Sequence, residues 1–166
     1  MHSQTFDDIK QKDIFVRKGE MRRILIINGP NLNMLGTRQP EIYGRETLAD
    51  IENACRNKAA GLGVEIECFQ SNGEGEIVTA IQRARGKFDA IVINPAAYSH
   101  TSVAIMDALL AYDGTVIEVH LSNIHRRDEF RRLSYVSKAA DGVICGLGKQ
   151  GYLLAVEAAA SLIDRE

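Results

Sequence analysis

Nine polar residues stand at or just beyond the ends of short apolar runs: Asn28 and Asn31, Ser71 and Asn72, Asn94 and His100, and Glu118, His120 and Ser122. Carboxamides can orient a polar ligand, an imidazole can move a proton near neutral pH, and a carboxylate can hold that imidazole. A tenth residue, Tyr43, lies between Arg38 and Arg45. Nearby cations favour a phenolate, so its proton is easier to remove than that of a free phenol of pKa ~10. His120, held by Glu118 or by a neighbouring carbonyl, can deliver a proton. The inventory suits acid-base chemistry on a polar, hydroxylated substrate. Taken singly, each residue also has an ordinary structural reading. An Asn in a turn bonds its own backbone, a lone His near a strand end fills a structural role, and Glu118 faces a helix amide. The recurrence across several strand ends favours one shared rim.

Other chemistries lack their signatures. His100, His120 and His125 invite a metal, but no His-Glu-x-x-His occurs and they share no helical face. There is no Gly-x-Ser-x-Gly elbow, no Walker pattern and no Gly-x-Gly-x-x-Gly after the first strand. Gly146-Leu147-Gly148 alone reads as a tight turn or a weak phosphate signal. The 166 residues, 45% hydrophobic and 25% charged, suffice for one domain with a sizeable core. A net charge of -2 and the lack of a Lys/Arg stripe argue against a nucleic-acid partner. Cys55, Cys68 and Cys145 are odd in number and widely spaced, which fits a reduced, cytoplasmic protein. No apolar run is long enough to span a bilayer, and residues 1–20 carry no apolar leader core, so no membrane partner is expected. Residues 1–20 read as a loosely held extension, and 21–166 as a single domain.

These residues need elements to position them. Ile24 to Ile27 is a buried strand that stops at Asn28-Gly29-Pro30-Asn31. The segment from Leu35 to Arg45, with Gly36, Pro40 and Gly44 and no period, reads either as an ordinary surface loop or as a lid hinged at its glycines. Thr47 caps a helix that runs to Gly61-Leu62-Gly63; Val64 to Gln70 alternates as a strand, and Ile77, Ala80, Ile81 and Ala84 mark a second helix. Ala90 to Ile93 is a central strand, and Thr101 or Ser102 caps an apolar helix over Val103 to Ala111. Thr115 to His120 is a strand, Arg127 to Leu133 a short polar helix, Gly142 to Cys145 the last strand, and a closing helix runs to Ile163. This alternation predicts an α/β fold, a flavodoxin-like doubly wound five-stranded parallel sheet with helices on both faces. Ligands of such sheets bind beyond the carboxyl ends of the strands, where the polar residues collect.

Several stretches together carry a resemblance: Ile27 to Asn33, Arg38 to Gly44, Phe69 to Asn72, Asn94-Pro95, Tyr98 to Ser102, Glu118 to His125, and Gly142 to Gly148 with Gln150-Gly151-Tyr152. From about Arg23 to the C-terminus the chain resembles the type II 3-dehydroquinate dehydratases. The resemblance implies conversion of 3-dehydroquinate to 3-dehydroshikimate and water through an enolate, without cofactor or lysine imine. Tyr43 then matches the ionised base, Arg38 the arginine that lowers its pKa, and Asn31 the residue orienting a water on the enolate oxygen. His120 matches the acid that protonates the departing hydroxyl, with Glu118 positioning it.

The same resemblance implies that Asn94, His100 and Arg131 contact ring hydroxyls and that backbone amides of Leu121 and Ser122 hold the substrate carboxylate. Asp107 matches an aspartate reaching a neighbouring subunit's site, and Arg127 an arginine near the active site. Trimers grouped into a dodecamer are the implied assembly. Gly73 departs from the pattern, standing where many members have histidine. The competing reading from a different class is a flavodoxin-like binding or regulatory domain without catalysis.

Overall fold

Alternate side chains of a β-strand point to opposite faces, and a strand apolar at every position must be covered on both. The centres of strands β1 (Arg22–Asn28) and β3 (Ala90–Asn94) obey this, and β4 (Thr115–His120) is buried throughout although it carries Thr115, Glu118 and His120; β2 (Val64–Gln70) and the short β5 (Gly142–Cys145) are more open edges. The computed structural model describes residues 21–37 and 45–164 and joins the strands in the order β2-β1-β3-β4-β5, every pair parallel. The expected extension over 1–20, and Arg38, Tyr43 and Gly44, lie outside the described residues.

Helices α1 (Leu48–Leu62) and α4 (Lys149–Ile163) cover one face, meeting Ile24, Ile26, Val92, Ile117 and Val119. Helices α2 (Glu74–Ala84) and α3 (Val103–Leu110) cover the other, meeting Leu25, Ile27, Ile91, Ile93 and Val116. Burying each such isoleucine contributes ~1.5–3 kcal/mol. The α/β architecture expected from the alternation is the one observed.

Local signals set the helix ends. The Thr47 hydroxyl accepts from the Asp50 amide at 3.2 Å while the Asp50 carboxylate accepts from the Thr47 amide at 2.9 Å, a reciprocal cap. Gly63 closes α1 in the left-handed region, φ 69°. Ser102, rather than Thr101, caps α3 by accepting from the Ile105 amide at 2.9 Å. The helix expected over Arg127 to Leu133 does not form. Two three-residue 3-10 turns, Ile124–Arg126 and Glu129–Arg131, flank extended backbone at Arg127 and Asp128. With Phe130 and Leu133 exposed, that segment has no apolar stripe to bury, so nothing offsets the cost of nucleating a helix.

Candidate functional site

In the order β2-β1-β3-β4-β5 the winding reverses between β1 and β3, and this is where an open parallel sheet leaves a crevice beyond its strand ends. The turns there are tied backbone to backbone. The Gly29 amide donates to the Asn94 carbonyl at 2.8 Å and the Ser71 amide to the Asn28 carbonyl at 3.0 Å. A side chain at Gly29 would put Cβ 2.5 Å from the Pro95 carbonyl oxygen, so glycine is what lets the two turns touch. Asn31, at φ 66°, donates its backbone N–H to Asn72 Oδ1 at 2.9 Å, and the Tyr98 hydroxyl donates to the Asn72 carbonyl at 2.8 Å. The rim residues of β1, β2 and β3 therefore form one connected edge.

Two buried polar networks hang from this edge, on opposite faces of the sheet. The first faces α1 and α4. Tyr152, fully buried on α4, donates its hydroxyl proton to Asn28 Oδ1 at 2.8 Å and accepts from Asn94 Nδ2 at 2.8 Å. Asn28 Nδ2 in turn donates to Glu52 Oε1 at 3.3 Å. Burial pushes the Tyr152 phenol far above the usual 10, so it stays neutral.

The second network faces α2 and α3. Glu118 and His120, two residues apart on β4, point the same way. His120 Nε2 lies 2.6 Å from Glu118 Oε1, and the Ser134 hydroxyl donates to that same oxygen at 2.7 Å. A carboxylate accepts, so Nε2 carries the proton and Nδ1 is the nitrogen left for other work. Glu118 is wholly buried, and its Oε2 has no hydrogen-bond partner among the described residues. A buried carboxylate is costly unless its oxygens are hydrogen-bonded, and here Oε1 takes both donors.

Beyond β4 the backbone also has a direction. The carbonyls of His120 and Leu121 accept from the Gly146 and Gly148 amides at 3.2 and 3.0 Å. All peptides are trans among the described residues, so each amide points opposite to the carbonyl it shares a plane with. The N–H groups of Leu121 and Ser122 therefore both point away from the Gly146-Leu147-Gly148 turn. That turn is structural: Gly146 has φ 88°, and a Cβ there would meet Asn123 Cβ at 2.9 Å.

His100 Nδ1 lies 2.9 Å from the Leu133 carbonyl, so Nδ1 bears a proton. Arg131 is half-buried, its guanidinium 4.9 Å from the Phe130 ring centre and 3.9 Å from Asp128. Arg127 is half-buried nearby in sequence, and Asp107 is exposed on α3. Gly36, at φ 81°, packs against the chain at 45–47, with Arg45 O 3.0 Å from where a Cβ would lie; the two sides of segment 38–44 thus meet. Gly73 has ordinary extended backbone, φ -96°, and a Cβ there would lie 3.3 Å from the Glu76 carboxylate, which would have to shift slightly to admit a larger residue.

Ser134 and Glu52 escaped the reading of the sequence as members of the site, and Tyr152 entered it only as part of a motif. Ser134 lies sixteen residues from its partner in a stretch without period. Tyr152 does carry a signal: a hydroxyl set into the apolar stripe Tyr152, Ala155, Val156, Ala159 must find a buried partner. A groove of about 830 Å³ along β2 and α2, lined by Arg23, Glu67, Arg83 and Lys87, shares none of the rim residues. Among the described residues no three His, Cys, Asp or Glu converge as metal ligands, and no helix is long and apolar enough to cross a membrane.

Residues 22–160 match the model of the family described as dehydroquinase class II. The chain is 60% identical over 138 residues to the catabolic 3-dehydroquinase of Verticillium alfalfae, covering 83% of this chain and 92% of that one. It is 60% identical over 139 residues to the 3-dehydroquinate dehydratase of Cereibacter sphaeroides, covering 84% and 95%. The crystal structure of type II dehydroquinase from Butyrivibrio crossotus superimposes with a TM-score of 0.82 at 44% identity, over 85% of this chain and 99% of that one.

Proposed function

We propose, since this chain belongs to the dehydroquinase class II family, that it eliminates water from 3-dehydroquinate to give 3-dehydroshikimate. The observation that carries the reading is the buried Glu118–His120 contact of 2.6 Å at the carboxyl end of β4, beside the crevice of the sheet. Loss of a proton beside the ketone gives an enolate. The hydroxyl on the neighbouring carbon then leaves, and it leaves as water only if an acid protonates it. Protonated His120 is that acid, giving up the Nδ1 proton while Glu118 holds Nε2 and stabilises the imidazolium.

Tyr43 is the base, with Arg38 favouring its phenolate, and Asn31 orients the water that stabilises the enolate oxygen; these three roles rest on the resemblance. The outward N–H groups of Leu121 and Ser122 suit the substrate carboxylate, as paired backbone donors do. Asn94, His100 and Arg131 bind the ring hydroxyls, Arg127 lies close by, and Asp107, exposed on α3, reaches the site of a neighbouring subunit in a dodecamer of trimers. Residues 21–166 act as one catalytic unit that needs no cofactor and works in the cytoplasm.

The test is to add 3-dehydroquinate to metal-free, cofactor-free protein and follow the ultraviolet absorbance of the conjugated enone. Rapid appearance of 3-dehydroshikimate is expected. No product from folded, assembled protein would move the chain to the non-catalytic binding reading.

A further inference from the structure

Tyr152 places a phenol hydroxyl where no water reaches, at 0% exposure, and a buried hydroxyl is tolerated only when hydrogen-bonded. Its two bonds have a forced direction. The Ala96 amide, which can only donate, lies 3.1 Å from Asn94 Oδ1, so that end of the carboxamide is the oxygen and the other is the NH₂. The NH₂ can only donate to Tyr152, so the Tyr152 proton must go to Asn28 Oδ1. Asn28 then has its NH₂ free to donate to the Glu52 carboxylate, itself 3.7 Å from Arg56. The chain of bonds is polarised from the rim inward and ends on an acceptor that cannot reverse it.

At the rim this leaves little freedom. The Asn94 oxygen accepts from a backbone amide, one of its two N–H groups is given to Tyr152, and a single N–H remains. We infer that Tyr152 is a positioning residue: from beneath the sheet it holds the Asn94 carboxamide so that its remaining N–H is presented to a substrate oxygen. The inference rests on the dehydratase reading, in which Asn94 touches the substrate, and it gives that contact a sense. Asn94 donates and the substrate oxygen accepts. Because the phenol stays neutral, the sense does not change across the working pH.

Tyr152→Phe keeps the ring and removes the oxygen. It is expected to raise KM for 3-dehydroquinate roughly tenfold while kcat moves less than about threefold. In an Asn94→Ala background the same change adds less than about a twofold further rise, because the group it positions is gone. Asn28→Ala keeps the Tyr152 hydroxyl but removes the acceptor that aims its proton, and it raises KM in the same direction. It also decides the matter should Tyr152→Phe fail to fold. An unmoved KM in folded Tyr152→Phe, or in Asn28→Ala, overturns the inference, as does a full additional rise in the Asn94→Ala background. A wild-type protein without turnover overturns the dehydratase reading and this inference together. Wild-type turnover with unmoved KM in the variants overturns the positioning alone.

Discussion

The two polar networks at the strand ends share an edge and differ in how completely they are satisfied. On the α1/α4 face the Glu52–Asn28–Tyr152–Asn94 chain pairs the Tyr152 hydroxyl in both directions and leaves no buried orphan. On the α2/α3 face Glu118 gives one oxygen to two donors and keeps the other unpaired and buried. A fully satisfied network resists rearrangement and serves to hold a shape. The other, under the proposed function, holds the imidazole that moves a proton. The two networks lie on opposite faces of the sheet.

Glu118→Gln is the sharpest way to break this contrast. The amide can still accept from His120 and Ser134 but no longer stabilises an imidazolium, so kcat is expected to fall roughly a hundredfold or more. The same change removes a buried charge, so thermal melting is expected at or above the wild-type Tm. A large drop in Tm with kcat retained would make Glu118 a structural residue and erase the distinction between the networks.

A smaller effect probes the dry, satisfied face. Burial raises the Cys55 and Cys68 thiols from an ordinary 9.0 to about 12. In the unfolded chain they ionise near 9.0, while in the folded chain they stay protonated. The folded state therefore binds more protons above that pH, and stability falls as pH rises from about 9 toward 12. Below pH 9 these groups leave Tm unchanged. Cys55→Ala is expected to flatten the alkaline decline modestly, as read by thermal melts across that window; an unchanged slope would mean that water reaches the thiol.

Much of the fold was legible because strands covered on both faces are apolar without a break, as Ala90 to Ile93 are, and because Thr47 and Gly63 punctuate a helix by their own chemistry. The helix expected over Arg127 to Leu133 was not legible, since its outcome depends on whether Phe130 and Leu133 find a surface to cover, and they do not. Within the site, Glu118 and His120 could be read together because a strand puts residues two apart on one face. Ser134, Glu52 and the direction of the Tyr152 bonds could not, since each depends on a partner brought in by tertiary folding. Tyr43 and Arg38 lie outside the described residues; a tyrosine between two arginines suggested a phenolate, and their roles as base and activator rest on the resemblance.

His120→Ala separates proton transfer from binding, with turnover and ligand binding measured on the same preparation. Turnover is expected to fall about 10²–10⁴-fold, the range of a lost general acid, while the affinity for a non-reacting analogue of 3-dehydroquinate, followed by calorimetry, changes by less than about threefold. Retained turnover would contradict the assignment of His120 as the acid, and loss of both binding and fold would make it a structural histidine.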